Sequence, residues 1–501
     1  KRKLILSSTS SSLSTRRINK IETVQFTDFS KAENQGNYII LSHPLLMQGE
    51  VDEVERYRAY RSSTAGGDYN PVVVNVEELY DQFAWGVRKH PMSIRNFVNY
   101  AVDQWNGQAE QLLLLGKSIE YRAITTASTF QDCLVPTYGH SGSDILLTAR
   151  SPFTYTNQLA LGRVPARSPT EVKFYLDKVI EYETLPEPCS TEDLLWRKHA
   201  LHIAGGTNLA EAADFIETLS IYKDVFEGIN YGGKVIHTYN KFSDDVIEEA
   251  DLSNFINPGL GIINFVGHGT GNKLNVNIEA LEQENYGRYP FIFASSCFAG
   301  DIHNTNNLDI GMAQEFIFAP NLGSIGFLAS NAVGFPVLLD QYVQGLFNNF
   351  TTTHFNQPIG ISIQENILAL SQEYSDPNSP FFNGVKFNAI FFTLAGDPAI
   401  VLNPLPIPEY RVDEASISFD PPQITTDLDS FALNIIVQNI GKAIEDSIQL
   451  VVNRQLPNSD IEVIFNQKIP SPKYADTLQV FFYFCDPSII GGNNIFEVLI
   501  D

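Results

Sequence analysis

Two side chains with catalytic potential, His268 and Cys297, each follow a short apolar segment of this 501-residue chain. Residues 262–266 (IINFV) precede His268, which stands between two glycines, and residues 291–294 (FIFA) precede Cys297. Short apolar runs bounded by Gly or Pro are typical of buried parallel strands. Because ligands bind at the carboxyl ends of such strands in an open α/β sheet, we expect His268 and Cys297 to meet at that edge.

A cysteine beside a histidine can act as a nucleophile, because the imidazole accepts the thiol proton and the thiolate attacks. The backbone N–H groups of Gly269 and Cys297 are the predicted oxyanion hole. A single Cys after a strand is more often a small core residue, and a single His in a loop is more often ordinary surface. The two together, each at a strand end, favour the catalytic interpretation.

Three neighbouring residues are alternatives for the nucleophile or the base, and one acidic residue could support the histidine. Ser295 and Ser296 are alternative nucleophiles, but the GxSxG motif that would expose a serine is absent from the sequence. His303 is an alternative base; it follows the nucleophile and precedes the polar residues 304–307, which predict a solvated loop. Asp144 lies in a loop after a predicted strand, where it could orient the catalytic histidine or equally serve as an Asx-turn residue.

Strand and helix patterns alternate over most of the chain and predict an α/β fold with a parallel sheet. We expect residues 1–35, which are Ser-rich, to be a linker or the end of a preceding domain. Residues 36–198 form a first predicted α/β subdomain and residues 199–405 a second one, with His268 and Cys297. Residues 406–501 follow a Pro-rich stretch and contain evenly spaced strand patterns, which predict an immunoglobulin-like β-sandwich.

Composition excludes several classes of protein. The chain has 33 basic and 58 acidic side chains, a net charge of −25, so it should repel nucleic acid. It contains no apolar run of the length that spans a membrane. Its four cysteines include no CxxC pair, so a structural zinc site is not expected.

The sequence around the two candidate residues resembles the gingipain-type cysteine peptidases, relatives of caspases and legumains. The resemblance begins with Gly267-His268-Gly269 and, after an apolar segment, Ser296-Cys297. It continues in five further motifs and covers about Tyr38 to Leu402. These motifs are LGRVP (161–165), DKVIEYE (177–183), Gly205-Gly206, NPG (257–259) and LAGDP (394–398).

The resemblance implies a caspase-like α/β/α fold in two subdomains, with Cys297 as nucleophile and His268 as general acid/base. An acidic residue of the first subdomain often supports the histidine in this family, and Asp144 is the candidate here. Many relatives have Ala where this chain has Ser296, a small change that should not stop catalysis. Residues 80–83 and 90–97 look more like the sortase branch of the type IX secretion system than like the digestive gingipains.

Sortases of that branch cut C-terminal sorting domains from secreted cargo and transfer the acyl group to an amine. The resemblance therefore implies a polypeptide substrate, other secretion components as partners, and a surface, outer-membrane or periplasmic location reached through a leader outside this chain. No cofactor is required; calcium occurs in the family, and the loop 304–309 is the candidate for it. The alternative is a catalytically silent surface scaffold, which a buried and unreactive Cys297 would indicate.

Overall fold

A computed structural model describes most of the chain from residue 26 onward. The described residues are 26–106, 108–124, 126–151, 153–185, 189–243, 245–304, 310–403, 405–425, 428–483 and 492–500. Predictions for residues 1–25, for most of the proposed calcium loop and for Cys485 therefore lie outside the described residues.

The strands follow the predicted order closely. They are β1 (Tyr38–Ser42), β2 (Pro71–Asn75), β3 (Gln111–Leu115), β4 (Ala160–Val164), β5 (His199–Gly205), β6 (Lys234–Asn240), β7 (Glu248–Glu249), β8 (Ile262–Gly267), β9 (Val276–Asn277), β10 (Phe291–Ser295), β11 (Gly326–Ser330), β12 (Phe392–Gly396), β13 (Tyr410–Arg411), β14 (Ile417–Asp420), β15 (Ser430–Asn439), β16 (Ser447–Gln455), β17 (Ile461–Pro470), β18 (Ala475–Tyr483) and β19 (Ile495–Ile500).

The α-helices occur between the strands of the first 400 residues, and the described residues after them contain one turn of 3₁₀ helix, Glu414–Ser416. The α-helices are α1 (Glu53–Arg61), α2 (Val76–Phe83), α3 (Met92–Gln104), α4 (Ala127–Asp132), α5 (Ile145–Thr148), α6 (Pro169–Glu183), α7 (Glu192–Leu195), α8 (Leu209–Phe226), α9 (Ser253–Ile256), α10 (Met312–Phe318), α11 (Pro336–Asn348), α12 (Ile359–Glu373) and α13 (Phe382–Phe391).

One ten-stranded sheet runs through both predicted subdomains, in the order β2-β1-β3-β4-β12-β11-β10-β8-β5-β6. Its neighbouring strands are parallel except at β11 and β12, which pair antiparallel. Every residue of the inner strands β1, β3, β4, β10, β11 and β12 is buried, which requires cover on both faces. The predicted α/β fold with a parallel-dominated sheet is confirmed, and the exception, β12, joins the two halves.

The connection from β8 to β10 differs from an ordinary helical crossover. It contains only the short strand β9 and one turn of 3₁₀ helix, Ala280–Glu282. Strand β9 pairs with β7, so the connection folds back beside the carboxyl end of β5 and β8. Residues of this connection consequently reach the segment that follows β8, where His268 lies.

Two smaller antiparallel sheets form the C-terminal part of the molecule. One contains β13, β14, β15 and β18, and the other contains β16, β17 and β19. Alternate residues of β15 (Phe431, Leu433, Ile435 and Val437) share one hydrophobic cluster with residues of β16 and β18, so the sheets pack face to face. The immunoglobulin-like assignment and the domain boundaries stay predictions.

Lys198 attaches the C-terminal sheets to the start of β5. Its buried ammonium group donates hydrogen bonds to the carbonyl oxygens of Asn439 (2.8 Å), Gly441 (2.8 Å) and Lys473 (3.1 Å). Three acceptors satisfy all three donors of an ammonium group, so this lysine connects the two parts with every donor hydrogen-bonded.

In the described part of the chain, no helix combines the length and apolarity needed to cross a bilayer.

Candidate active site

His268 and Cys297 follow two strands that are direct neighbours in the sheet. Strand β8 pairs in parallel with β10, and Val266 lies opposite Ser295. The chain leaves both strands at the same edge, and adjacent strands are about 4.8 Å apart. Both residues line one cavity of about 430 Å³. The structure therefore places His268 and Cys297 at the same edge of the sheet, on the lining of one cavity.

Asn275, in the connection after β8, holds the backbone of His268 in place. The amide of His268 donates to Asn275 Oδ1 (3.2 Å), and the amide of Asn275 donates to the His268 carbonyl oxygen (2.8 Å). The Asn275 side chain also donates to the carbonyl oxygen of Gly205. A Cβ atom on Gly205 would lie 2.2 Å from Asn275 Oδ1, and one on Gly267 3.0 Å from it. These two glycines thus leave the space into which Asn275 fits.

The imidazole of His268 contacts Glu211, an acid that we did not select from the sequence. His268 Nε2 lies 2.9 Å from Glu211 Oε1, and the histidine side chain is 48% exposed. Glu211 stands in the first turn of α8, three residues after the helix-capping Asn208, and also accepts a hydrogen bond from the Thr207 amide (2.7 Å). Burial raises the pKa of Glu211, but the hydrogen bonds from Thr207 and His268 outweigh it and hold that pKa below its usual value.

This contact determines which nitrogen of His268 faces the cavity. An ionised carboxylate only accepts hydrogen bonds, so the proton between the two groups belongs to Nε2. The other nitrogen, Nδ1, has no hydrogen-bond partner among the described residues. In the neutral ring Nδ1 carries the lone pair, so it is the atom that can take up and return a proton in the cavity.

Cys297 lies in a strained turn and its sulfur is partly accessible. The amide of Gly334 donates to Cys297 Sγ (3.3 Å), and the thiol donates to the carbonyl oxygen of the same residue (3.7 Å). The next residue, Phe298, has a φ of +55°, in the left-handed region that non-glycine residues adopt rarely. A hydrogen bond from the Phe298 amide to the Ala332 carbonyl oxygen (3.0 Å) helps to hold this conformation. The turn directs the cysteine away from the strand and towards the cavity.

The two amides of the predicted oxyanion hole are free in the described part of the structure. The N–H groups of Gly269 and Cys297 donate to no protein acceptor there. Gly269 also packs tightly against the loop of the nucleophile, since a Cβ atom at this position would lie 2.5 Å from Ser296 Oγ. Glycine at 269 thus permits the two loops to touch, and the assignment of the oxyanion hole stays a prediction.

Asp144 lies in a different part of the sheet and does not contact His268. Its carboxylate binds the buried Arg163 through two hydrogen bonds (2.6 and 2.7 Å) and accepts a third from Thr137 (2.8 Å). Arg163 is on β4, four strands from β8, which corresponds to about 19 Å. Burial would raise the pKa of Asp144, but the charge of Arg163 outweighs it and lowers that pKa.

Arg163 explains why an acid is needed at position 144. Its guanidinium also donates to the carbonyl oxygens of Gly116 (2.8 Å), Val135 (2.9 Å) and Pro136 (3.2 Å), at the ends of nearby loops. The carboxylate neutralises a buried charge that ties these loops together. The structure therefore places Glu211, and not Asp144, beside the histidine.

His303, the rival base, is fully buried beside Asp144 and not in a solvated loop. Its Nδ1 lies 2.5 Å from Ser118 Oγ and its Nε2 3.9 Å from Asp144 Oδ2. Burial lowers the pKa of His303 to about 3, despite the opposing effect of Asp144. It shares no cavity with Cys297. Of the rival nucleophiles, Ser295 lines the cavity with Cys297, whereas Ser296 is buried against Gly269.

The cavity itself lies between α8 and α11 and is rich in acidic groups. One face of α8 contributes Glu211, Asp214 and Tyr222, and α11 contributes Asp340. Tyr222 donates a hydrogen bond to Asp340 Oδ1 (2.8 Å). Burial raises the pKa of Asp340, and this hydrogen bond opposes the rise. The described lining includes no Lys or Arg, so the cavity has a negative electrostatic potential.

The residues that we missed could have been found only in part from the sequence. Glu211 has a recognisable signal, since Asn208 and Glu211 have the spacing of a capping box directly after a predicted strand. Asn275 and Gly334 have none, because their contacts depend on how two loops fold back. Within the described ranges, no group of three or more His, Cys, Asp or Glu side chains could hold a metal ion.

Comparison with known proteins identifies the family to which the chain belongs. Residues 31–403 match the model of peptidase family C25. No match was found among curated proteins. The fold is similar to that of the Arg-specific cysteine proteinase gingipain R (RgpB), with 16% identity and a TM-score of 0.57 over 95% of this chain and 97% of that chain.

Two further structures are similar. The complex of the RgpB pro- and mature domains from Porphyromonas gingivalis has 15% identity and a TM-score of 0.57, over 93% of this chain and 99% of that chain. Dimeric latent PorU from Porphyromonas gingivalis has 14% identity and a TM-score of 0.38, over 93% of this chain and 41% of that chain. Because the family model spans most of the chain, the protein belongs to peptidase family C25, the gingipain family, and is a cysteine peptidase with a caspase-like α/β fold.

Proposed function

We propose that the protein is an endopeptidase in which Cys297 is the nucleophile and His268 the general acid/base. The observation that carries the proposal is the contact between Glu211 and His268 Nε2, which leaves Nδ1 free in the cavity that also holds Cys297. Cys297 is only partly buried and lines this cavity, which also favours an enzyme over a silent scaffold.

The reaction proceeds through a thioester. The Cys297 thiolate attacks the peptide carbonyl carbon, and the amides of Gly269 and Cys297 stabilise the negative oxygen of the tetrahedral intermediate. The C–N bond breaks as His268, protonated at Nδ1, gives that proton to the leaving amine. Water or another amine then attacks the thioester carbon and loses a proton to Nδ1, and the C–S bond breaks to release the acyl product and the Cys297 thiolate. All these groups come from the chain itself, and Glu211 keeps the imidazole in the required orientation throughout.

The acidic cavity indicates which polypeptides are substrates. Asp214 and Asp340 face the same space as the sulfur, and no described Lys or Arg neutralises them there. A partly buried carboxylate without a cationic partner favours a ligand that supplies one. We therefore expect a Lys or Arg side chain of the substrate to occupy this cavity. The Asp340→Asn variant should raise KM for such substrates more than for an uncharged analogue.

Transfer to an amine is the finer part of the proposal and rests on the sequence resemblance of residues 80–83 and 90–97 to sortases of type IX secretion. In that role the protein would process C-terminal sorting domains of secreted cargo at the cell surface or in the periplasm, together with other secretion components. The choice between hydrolysis and transfer depends on whether an amine or water reaches the thioester first.

Digestion of a diverse peptide library, with products identified by mass spectrometry, tests both the peptidase assignment and the proposed transfer to an amine. The wild type should cleave peptides and Cys297→Ala should not; cleavage by the variant would contradict the assignment of the nucleophile. Repeating the digestion with an added amine acceptor should give amine-capped products if the protein is a transpeptidase. Products ending only in free carboxylates would limit the proposal to hydrolysis. A wild type that neither cleaves nor reacts with an alkylating reagent at Cys297 would support the scaffold alternative.

A further inference from the structure

A second cavity, of about 520 Å³, lies at the opposite edge of the large sheet from Cys297. Its lining residues Arg197 and Arg288 precede β5 and β10, whereas Cys297 follows the other end of β10. Five residues of extended strand separate the two edges by about 16 Å. This cavity is therefore separate from the candidate active site, and the proposed peptidase mechanism does not use it.

Arg197 forms the floor of this cavity and is only 4% exposed. Its guanidinium lies over the rings of Tyr182 (4.1 Å from the centroid) and Trp196 (5.1 Å), and one Nη group donates to the Tyr182 carbonyl oxygen. The Nε–H group is buried and has no acceptor. The other Nη group of Arg197 also has no acceptor among the described residues and, unlike Nε, is not buried, so a ligand in the cavity can supply one.

Arg288 lines the same cavity as Arg197, and after the hydrogen bonds from Ser190 its positive charge contributes to lowering the pKa of Asp193 there. Its side chain and that of Trp196 both pack against Gly259, where a Cβ atom would lie 2.7 Å from Arg288 Cδ and 2.9 Å from Trp196 Cβ. One Nη group donates to the Pro258 carbonyl oxygen (2.6 Å). Among the described residues neither arginine forms an ion pair within 4.0 Å, in a chain whose net charge is −25. Two neighbouring guanidinium groups thus retain free donors.

Two carboxylates of the same cavity lining retain free acceptors. Glu181 accepts a hydrogen bond from Tyr289 through Oε2, and Asp193 accepts hydrogen bonds from Ser190 through Oδ2. Within the described structure the second oxygen of each carboxylate accepts none. The third acid of the lining, Asp177, is already paired with Arg56 (2.6 Å). The cavity lining therefore contains both guanidinium donors and carboxylate oxygens that no described hydrogen bond satisfies.

We propose that this cavity binds the carboxyl terminus of a peptide whose last residue is basic. The terminal carboxylate accepts hydrogen bonds from the accessible Nη group of Arg197 and from the Arg288 guanidinium, in the planar geometry that favours arginine. The basic side chain of the ligand contacts Glu181 and Asp193. A phosphate or sulfate would fit less well, because three carboxylates line the same space and repel a multiply charged anion.

Isothermal titration of the full chain carrying Cys297→Ala tests the proposal without turnover. The probes are acetyl-alanyl-lysine with a free carboxylate, the same peptide as its C-terminal amide, and acetyl-alanyl-norleucine with a free carboxylate. We expect the first to bind at least about tenfold more tightly than either of the others, because each loses one charged contact. Equal affinity of the acid and the amide would overturn the proposal.

Variants locate the binding site. Arg288→Gln, introduced into the Cys297→Ala chain, should weaken binding of acetyl-alanyl-lysine at least about tenfold. Arg150 is an exposed arginine elsewhere in the molecule, and Arg150→Gln in the same chain should leave the affinity unchanged. Thermal unfolding of both variants verifies that they fold. Asp340→Asn removes a charge from the other cavity and should not affect this binding. Loss with Asp340→Asn and retention with Arg288→Gln would place the ligand in the candidate active site and overturn the proposal, whether or not the protein is a peptidase.

Discussion

Two histidines lie near carboxylates at the carboxyl edge of the same sheet, in opposite kinds of surroundings. His268 is 48% exposed, contacts Glu211 through Nε2 and presents a free Nδ1 to an open cavity. His303 has no exposed surface, and the carboxylate nearest to it is already bound by Arg163. A proton can pass between His268 and a substrate, whereas His303 is held neutral in the interior. Access to the cavity, and not the residue types, distinguishes the two regions, since Nε2 of His303 also lacks a hydrogen-bond partner but is buried.

Alanine at each histidine gives the strongest test of this difference. We expect His268→Ala to lower kcat/KM for peptide cleavage by roughly 10²–10⁴-fold, the usual contribution of a general acid/base. His303→Ala should leave kcat per folded molecule within roughly threefold, because its ring does not reach the cavity, and should lower Tm. Measuring both quantities for both variants separates the roles. A large loss of kcat in folded His303→Ala would show that the comparison is wrong.

Asp144 provides the next largest effect, on stability. Asp144→Ala leaves the Arg163 charge buried without its carboxylate, and should lower the free energy of unfolding by about 3–5 kcal/mol. Denaturant titration measures this change. The double variant Asp144→Ala, Arg163→Met should recover part of the loss, because no unpaired charge remains. If Asp144 instead oriented His268, activity per folded molecule would fall and Arg163→Met would not restore stability.

The positions of His268 and Cys297 were predictable from sequence because strand ends are marked locally. Apolar runs that stop at glycine or serine identify buried strands, and parallel strands bring their carboxyl ends to one edge. The same logic left Asp144 open between orienting His268 and an Asx-turn role, the family resemblance favoured the first, and the structure pairs it with Arg163 instead. Two strand ends on the same edge of a sheet can be about 19 Å apart, so two residues that both lie at this edge need not be in contact.

The order of the strands in the sheet shows which strand ends are neighbours, and local sequence patterns do not contain this information. Glu211 reaches His268 because β5 lies next to β8, although the two residues are 57 positions apart. The insertion of β12 between β4 and β11 is what separates Asp144 from the histidine. Neither fact is encoded in the periodicity of a segment, since both depend on which strands pair. A capping-box search after every predicted strand would nevertheless have added Glu211 to the candidates.

Acid sensitivity of stability is a third difference between the two regions. The pKa of His303 is lowered by burial to about 3, so the unfolded chain binds a proton there below pH 6.5 that the folded protein refuses. Its contribution to stability is thus present above pH 6.5 and is lost as the pH falls towards 3. From pH 7 to pH 5 the loss is about 2 kcal/mol. Denaturant titrations at both pH values should show a correspondingly smaller loss in His303→Gln than in the wild type.

Glu211 should have a moderate effect that is confined to catalysis. Glu211→Gln keeps the size of the side chain and weakens its hold on the imidazole, so we expect kcat to fall roughly tenfold with KM nearly unchanged. Glu217→Gln, on an exposed part of the same helix, is the matched control. Equal kinetics in the two variants would mean that the contact between Glu211 and His268 only caps α8.

Ser296 should have the smallest effect, although it is adjacent to the nucleophile. Its hydroxyl is buried against Gly269, and Ser296→Ala removes one oxygen without adding an atom. We therefore expect kcat/KM to stay within roughly threefold of the wild type. Gly269→Ala adds a methyl group at the same contact from the opposite side and should reduce kcat/KM more, because the two loops must separate. If Ser296→Ala abolished cleavage while Cys297→Ala did not, the nucleophile would be the serine. The difference in accessibility between the Cys297 sulfur and the Ser296 hydroxyl would then not explain which of the two residues reacts.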